Sequence, residues 1–80
     1  ELQGCRLQPN NNNKLQTYNQ LNQIKNIINT ILNIEYTAAL HYCSSKFDKI
    51  HSTNHQQRIR QTIEFPLQSI KIDFYANDTN

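Results

Sequence analysis

Between Lys14 and Phe65 the chain carries neither Gly nor Pro, so nothing in its backbone chemistry interrupts a helix there. Leu21, Ile24, Ile28 and Ile31 recur at steps of 3, 4 and 3, the apolar stripe of an amphipathic helix. Asn19, Asn22, Asn26, Asn29 and Asn33 repeat with the same rhythm and give that helix a row of carboxamides on another face. A second stripe follows: Leu32, Tyr36, Ala39, Cys43, Phe47 and Ile50. At about 100° per residue its centre lies roughly 90° from that of the first. Two faces so displaced aim at different neighbours, which predicts a break at Asn33–Thr37. Asn33 suits a helix end and Thr37 an N-cap.

Downstream the period changes from 3.6 to 2. Ile59, Ile63 and Phe65 alternate with Arg58, Arg60, Thr62 and Glu64, and beyond Pro66 Ile70, Ile72 and Phe74 alternate with Lys71, Asp73 and Tyr75. Alternation on both sides of a Pro-containing turn predicts a β-hairpin. Residues 1–13, punctuated by Gly4, Pro9 and an Asn run, read as an extended arm. The expected fold is therefore a single α+β domain over residues 1–80. It comprises the arm, a helical hairpin (about 14–33 and 36–51) and a C-terminal β-hairpin (about 57–65 and 69–76). An all-α bundle is the alternative.

Cys5 and Cys43 are the only cysteines. In a short chain with a thin core a disulfide is the leading expectation, worth about 4 kcal/mol in the loop-entropy picture. Geometry conditions it. A straight helix from Lys14 would carry Cys43 about 43 Å away, and nine extended residues from Cys5 to Lys14 reach only about 31 Å. An intrachain bridge then requires the helical stretch to fold back. An unbroken helix leaves the cysteines free or joined between chains.

Composition sharpens this picture. Of 80 residues 36% are hydrophobic, while Asn contributes 12 and Gln 9. A core of that size supplies only about 3–5 kcal/mol. The net charge of +2 comes from scattered single charges. Arg58, Arg60 and Lys71 are too sparse for a phosphate-tracking surface, which argues against nucleic acid as a partner. No stretch approaches the roughly 18 apolar residues of a membrane span, so membrane insertion is not expected. The sequence starts at Glu1 and holds no Met, which is expected of a processed product or an excised fragment whose targeting segment is gone. With paired cysteines that favours an extracellular, secreted setting, an organellar one being the alternative.

Candidate chemistry is sparse. His51 and His55 have a metal-ligand spacing, but Ser52, Thr53 and Asn54 between them are poor helix formers. The cysteines also lack the close pairing of structural zinc sites, so solvated histidines are the expectation and no metal or cofactor is assigned. His41, two residues from Cys43, points away from it on a helix. The sole glycine is Gly4, and the six carboxylates are dispersed. No catalytic residues are expected. Asn77-Asp78-Thr79 matches the glycosylation sequon, in a chain rich enough in Asn, Ser and Thr to produce such a match by accident.

The carboxamide row, together with Tyr36, Tyr42 and Tyr75, suits a packing surface, since neutral amides donate and accept without charge repulsion. A bias merely parked on a solvated face is the plainer reading of the row. The functional expectation is a non-enzymatic structural subunit that binds copies of itself, as a homo-oligomer or filament, or docks among other subunits. A secreted monomeric ligand, toxin or inhibitor is the alternative, and an accessory subunit of an organellar membrane complex the third.

Overall fold

The computed structural model describes residues 4–11, 22–53 and 58–75. Four elements follow in order: β1 (Cys5–Asn11), α1 (Asn22–Thr53), β2 (Ile59–Glu64) and β3 (Gln68–Phe74). The strands form one antiparallel sheet of order β1-β3-β2, with α1 packed across one face. The fold is mixed α+β, and the all-α alternative is wrong. Alternation decides it: Gln68, Ile70, Ile72 and Phe74 of β3 are buried beneath the helix, while Ser69, Lys71 and Asp73 face outward.

The predicted hairpin forms within two residues of its expected limits. Phe65 N–H donates to Gln68 C=O at 2.8 Å, closing a two-residue turn over Pro66 and Leu67. Both keep negative φ, which Pro favours at the first central position of a type I turn. The N-terminal arm is in fact largely a strand. Residues Cys5 to Asn11 pair with Phe74 to Gln68, so β3 has a neighbour on each side.

The helical hairpin is corrected to a single helix of 32 residues with no break at Asn33. No described residue other than Gly4 has positive φ, so Asn33 does not serve as a left-handed cap. The drift between the two stripes is absorbed by a change in what the helix faces. Ala39 and Cys43 of the second stripe are fully buried, with Tyr36 and Phe47 packed beside them. Of the first stripe, Ile28 is buried, Ile24 and Ile31 are half-buried and Leu21 lies outside the described residues, while Ile27 and Ile34, members of neither expected stripe, are 58% and 61% exposed.

A 32-residue helix is about 48 Å long and a seven-residue strand about 23 Å, so α1 outruns the sheet. The turn end of the sheet meets it at Leu32 and Glu35, and residues 22–31 continue past that point.

Cys5 and Cys43 are bonded, their Cα atoms 6.3 Å apart. An intrachain bridge and an unbroken helix over Asn22–Thr53 thus coexist, while residues 14–21 of the expected first helix lie outside the described residues. From Cys5 to Asn22 the chain can span about 58 Å, against a helical rise of about 31 Å from Asn22 to Cys43. The staple joins β1 to the middle of α1. Next to it, Gly4 adopts φ 83°, and a Cβ there would collide with the Phe47 ring. A residue with no side chain and a left-handed backbone is what lets the start of β1 lie so close to the helix.

Candidate interaction surfaces

Hydrogen-bond direction alternates along an antiparallel strand, so two backbone contacts set the phase of the whole sheet. Phe65 bonds Gln68, which turns the N–H and C=O groups of Ile59, Gln61 and Ile63 toward β3. Those of Arg60, Thr62 and Glu64 therefore point away from the sheet, along its free edge. Tyr75 N–H donates to Gly4 C=O at 3.0 Å, so Arg6, Gln8 and Asn10 bond β3. Cys5, Leu7, Pro9 and Asn11 then face the opposite edge. Pro9 sits where a missing N–H costs no internal bond and blunts that edge against further pairing. The β2 edge has no such device. Arg60, Gln61, Thr62 and Glu64 are all exposed, and among the described residues only β3 pairs with β2.

The two edges also relate differently to the helix. Cys43 of α1 is bonded to Cys5 in β1, whereas the Tyr42 hydroxyl donates to Gln61 Oε1 of β2 at 2.7 Å. Tyr42 lies on the same helical meridian as Ile24, eighteen residues or five turns earlier, and close to that of Ile31. The isoleucine flank of α1 is thus the β2 side of the molecule, and it carries exposed Ile27 and Ile34.

The outer sheet face is basic. Cross-strand pairing sets Arg6, Asp73 and Arg60 in one row, and Gln8, Lys71 and Thr62 in the next. Arg58 grips Asp73 with two nitrogens: Nε donates to Oδ1 at 2.9 Å and Nη2 to Oδ2 at 2.5 Å. That hydrogen-bonded guanidinium holds the Asp73 carboxyl below the usual carboxylate range; partial burial opposes it, and the charges of Arg58, Arg60 and Arg6 add to it. The same carboxylate raises the Arg58 pKa. Arg6 also lies over the Tyr75 ring, 5.6 Å from its centroid. These groups border a shallow cavity of about 540 Å³. Its chemistry is that of a cation-rich surface for anionic groups.

Sequence reasoning missed a buried polar clamp. Glu35 and Gln68 are only 5% and 3% exposed. Glu35 Oε1 accepts from Gln68 Nε2 at 3.1 Å, and Glu35 Oε2 accepts from Leu67 N–H at 3.2 Å. Gln68 Nε2 also donates to the Leu32 carbonyl at 3.1 Å. The clamp fixes the β2–β3 turn to the helix. Its only trace in the sequence is a polar residue in each buried stripe, at the places where Glu35 interrupts the helical one and Gln68 starts the strand one.

Of the expected interface residues, Asn26, Asn29 and Asn33 lie together on an exposed helix face. Asn22 begins α1, and Asn19 lies outside the described residues. The three tyrosines are half-buried instead of standing free: Tyr36 and Tyr42 pack against the core, with the Tyr42 and Phe74 ring centroids 6.4 Å apart, and Tyr75 lies under Arg6. His51 falls within the last turn of α1, and His55 and Asn77 lie outside the described residues. Among the described residues no group of three His, Cys, Asp or Glu side chains is placed to hold a metal ion, and no helix is long and apolar enough to cross a membrane. No protein-family model matches the chain, and no curated protein or solved structure matches it significantly.

Proposed function

We propose that this protein is a non-enzymatic assembly subunit that works by associating with copies of itself. The observation that carries this reading is the isoleucine flank of α1. Ile27 and Ile34, more than half exposed, continue a stripe whose other members, Ile24 and Ile31, are already half-buried. Large aliphatic side chains in a row on a helix that outruns its sheet favour burial against another molecule. The disulfide is compatible with an extracellular or secreted setting, and that is the setting proposed.

Sedimentation equilibrium tests the reading. The wild-type chain is expected to show at least twice its 9.4 kDa mass at high micromolar concentration. Replacing Ile27 and Ile34 with Asp should weaken association while leaving the helical circular dichroism signal intact. A strictly monomeric wild type overturns it.

A second reading, a secreted monomer that binds an anionic target, is favoured by the Arg6, Arg58, Arg60 and Lys71 cluster on the outer sheet face. Saturable, salt-sensitive binding of a polyanion such as heparin by a monomeric chain would select it over assembly.

A further inference from the structure

We infer that β2 pairs antiparallel with the β2 strand of a second copy about a two-fold axis at Thr62. The inference rests on the self-association proposed above and names its contact. Its first support is the phase of the sheet. Among the described residues, the N–H and C=O groups of β2 that find no strand partner belong to Arg60, Thr62 and Glu64. In the register centred on Thr62 these three residues meet one another. Arg60 faces Glu64 of the partner subunit, Thr62 faces Thr62 of the partner subunit, and Glu64 faces Arg60 of the partner subunit. Each of the three pairs exchanges both of its backbone bonds, so no free edge group of those residues is wasted.

Side-chain chemistry selects the same register. Arg60, Thr62 and Glu64 project from the outer sheet face, so the pairing sets opposite charges directly across from each other at both ends and a Thr–Thr pair between them. On the helix side, half-buried Ile59 comes opposite Phe65 of the partner subunit, apolar against apolar. A slide by two residues sets Arg60 against Pro66 of the partner subunit in one direction and against Thr62 of the partner subunit in the other. The first slide loses the charge pairs, and the second leaves Glu64 facing Arg58 of the partner subunit, a guanidinium already held by Asp73 within its own chain.

The other edge cannot substitute. Pro9 lies among its outward-facing backbone groups and interrupts any ladder built there. A two-fold axis normal to the sheet keeps both helices on one side of a continuous six-stranded sheet of order β1-β3-β2-β2-β3-β1. The same axis sends the N-terminal halves of the two helices in opposite directions, so each isoleucine flank lies on the partner-facing side of its own helix but at an opposite end of the joined sheet.

The test uses two single variants and their mixture. R60E sets carboxylate against carboxylate at both ends of the interface, and E64R sets guanidinium against guanidinium. Each alone should raise the dissociation constant by about tenfold or more. Mixed in equal amounts, the two chains set the new carboxylate at position 60 of one against the new guanidinium at position 64 of the other. At the opposite end of that mixed dimer the native Glu64 of the first chain meets the native Arg60 of the second, and wild-type association should return. Unchanged amide protection in β3 would show that both variants stay folded. Without any substitution, hydrogen exchange at the amides of Arg60, Thr62 and Glu64 should slow with rising protein concentration, while that at Leu7 does not. If wild type associates but the mixture does not recover, or the three amides stay fast, the Thr62 register is overturned and self-association stands. A wild type that remains monomeric overturns both.

Discussion

The two edges of this three-stranded sheet have been treated in opposite ways. At β1 a disulfide ties Cys5 to the helix, Gly4 lets the backbone close up against Phe47, and Pro9 stands among the outward backbone groups. At β2 no covalent tie to the helix exists among the described residues: Ile59 and Ile63 pack half-buried against the core, Tyr42 donates one exposed hydrogen bond to Gln61, and the outward groups of Arg60, Thr62 and Glu64 are intact. One edge is anchored and blunted, the other lightly held and ready to pair. A sheet too small to hide both of its margins needs such devices only where pairing is unwanted, and their absence at β2 is informative for that reason.

Removing the anchor should give the largest effect. The double variant C5S/C43S is expected to lose about 4 kcal/mol of stability, read from urea unfolding. Amide protection should fall first in β1, with the β2–β3 hairpin holding longer. Equal loss in all three strands would deny that the staple serves β1 in particular.

Next comes the clamp that fixes the hairpin turn. Glu35→Ala strands the Leu67 N–H and one of the Gln68 amide bonds in a buried site, at a cost of about 2–3 kcal/mol. Its effect should centre on the β2–β3 end, so combining it with the cysteine variant should be close to additive.

Gly4→Ala acts at the β1 margin. The left-handed backbone and the Phe47 ring both oppose the new methyl group, and about 1–2 kcal/mol should be lost. A neutral result in thermal unfolding would mean that β1 does not approach the helix as closely as described.

The smallest effect belongs to Asp73→Asn, which releases Arg58 at the entrance to β2. The folded-state carboxyl pKa is depressed, so its contribution is fully present above the unfolded value near 3.9 and is lost as pH falls through the lower folded value. Wild type and variant should therefore differ slightly at neutral pH and converge in acid. A gap that persists once the carboxyl is protonated in the folded state as well would assign the effect to something other than this ion pair.

Much of the fold was legible where one short stretch carries its own pattern. The β-hairpin is written in the alternation of Ile59–Phe65 and Ile70–Phe74 around Pro66, and the helix in a breaker-free run of stripes. What escaped depends on distant partners. The alternation of Cys5, Leu7 and Pro9 with Arg6, Gln8 and Asn10 is too short to announce a strand until β3, near the other end of the chain, supplies the ladder. The 90° drift between stripes has two physical solutions, a bend or a helix that changes neighbours along its length, and periodicity alone does not choose. Glu35 and Gln68 looked like ordinary polar positions because their burial is created by the turn docking on the helix. The cysteine pairing was legible as chemistry, while the route by which the chain achieves it was not. The isoleucine flank was hidden for a related reason: Ile27 and Ile34 stand out only once the sheet is seen to occupy another side of the helix.

The order of the strands has one more implication, for biosynthesis. β3 lies in the middle of the sheet yet leaves the ribosome after both of its neighbours, so β1 has no ladder to join until residues 68–74 are made. In an oxidising compartment the Cys5–Cys43 bond can close well before that, since both thiols are exported first. The nascent chain would then hold its first strand parked alongside the helix, leaving beside it a berth that the late-arriving hairpin fills.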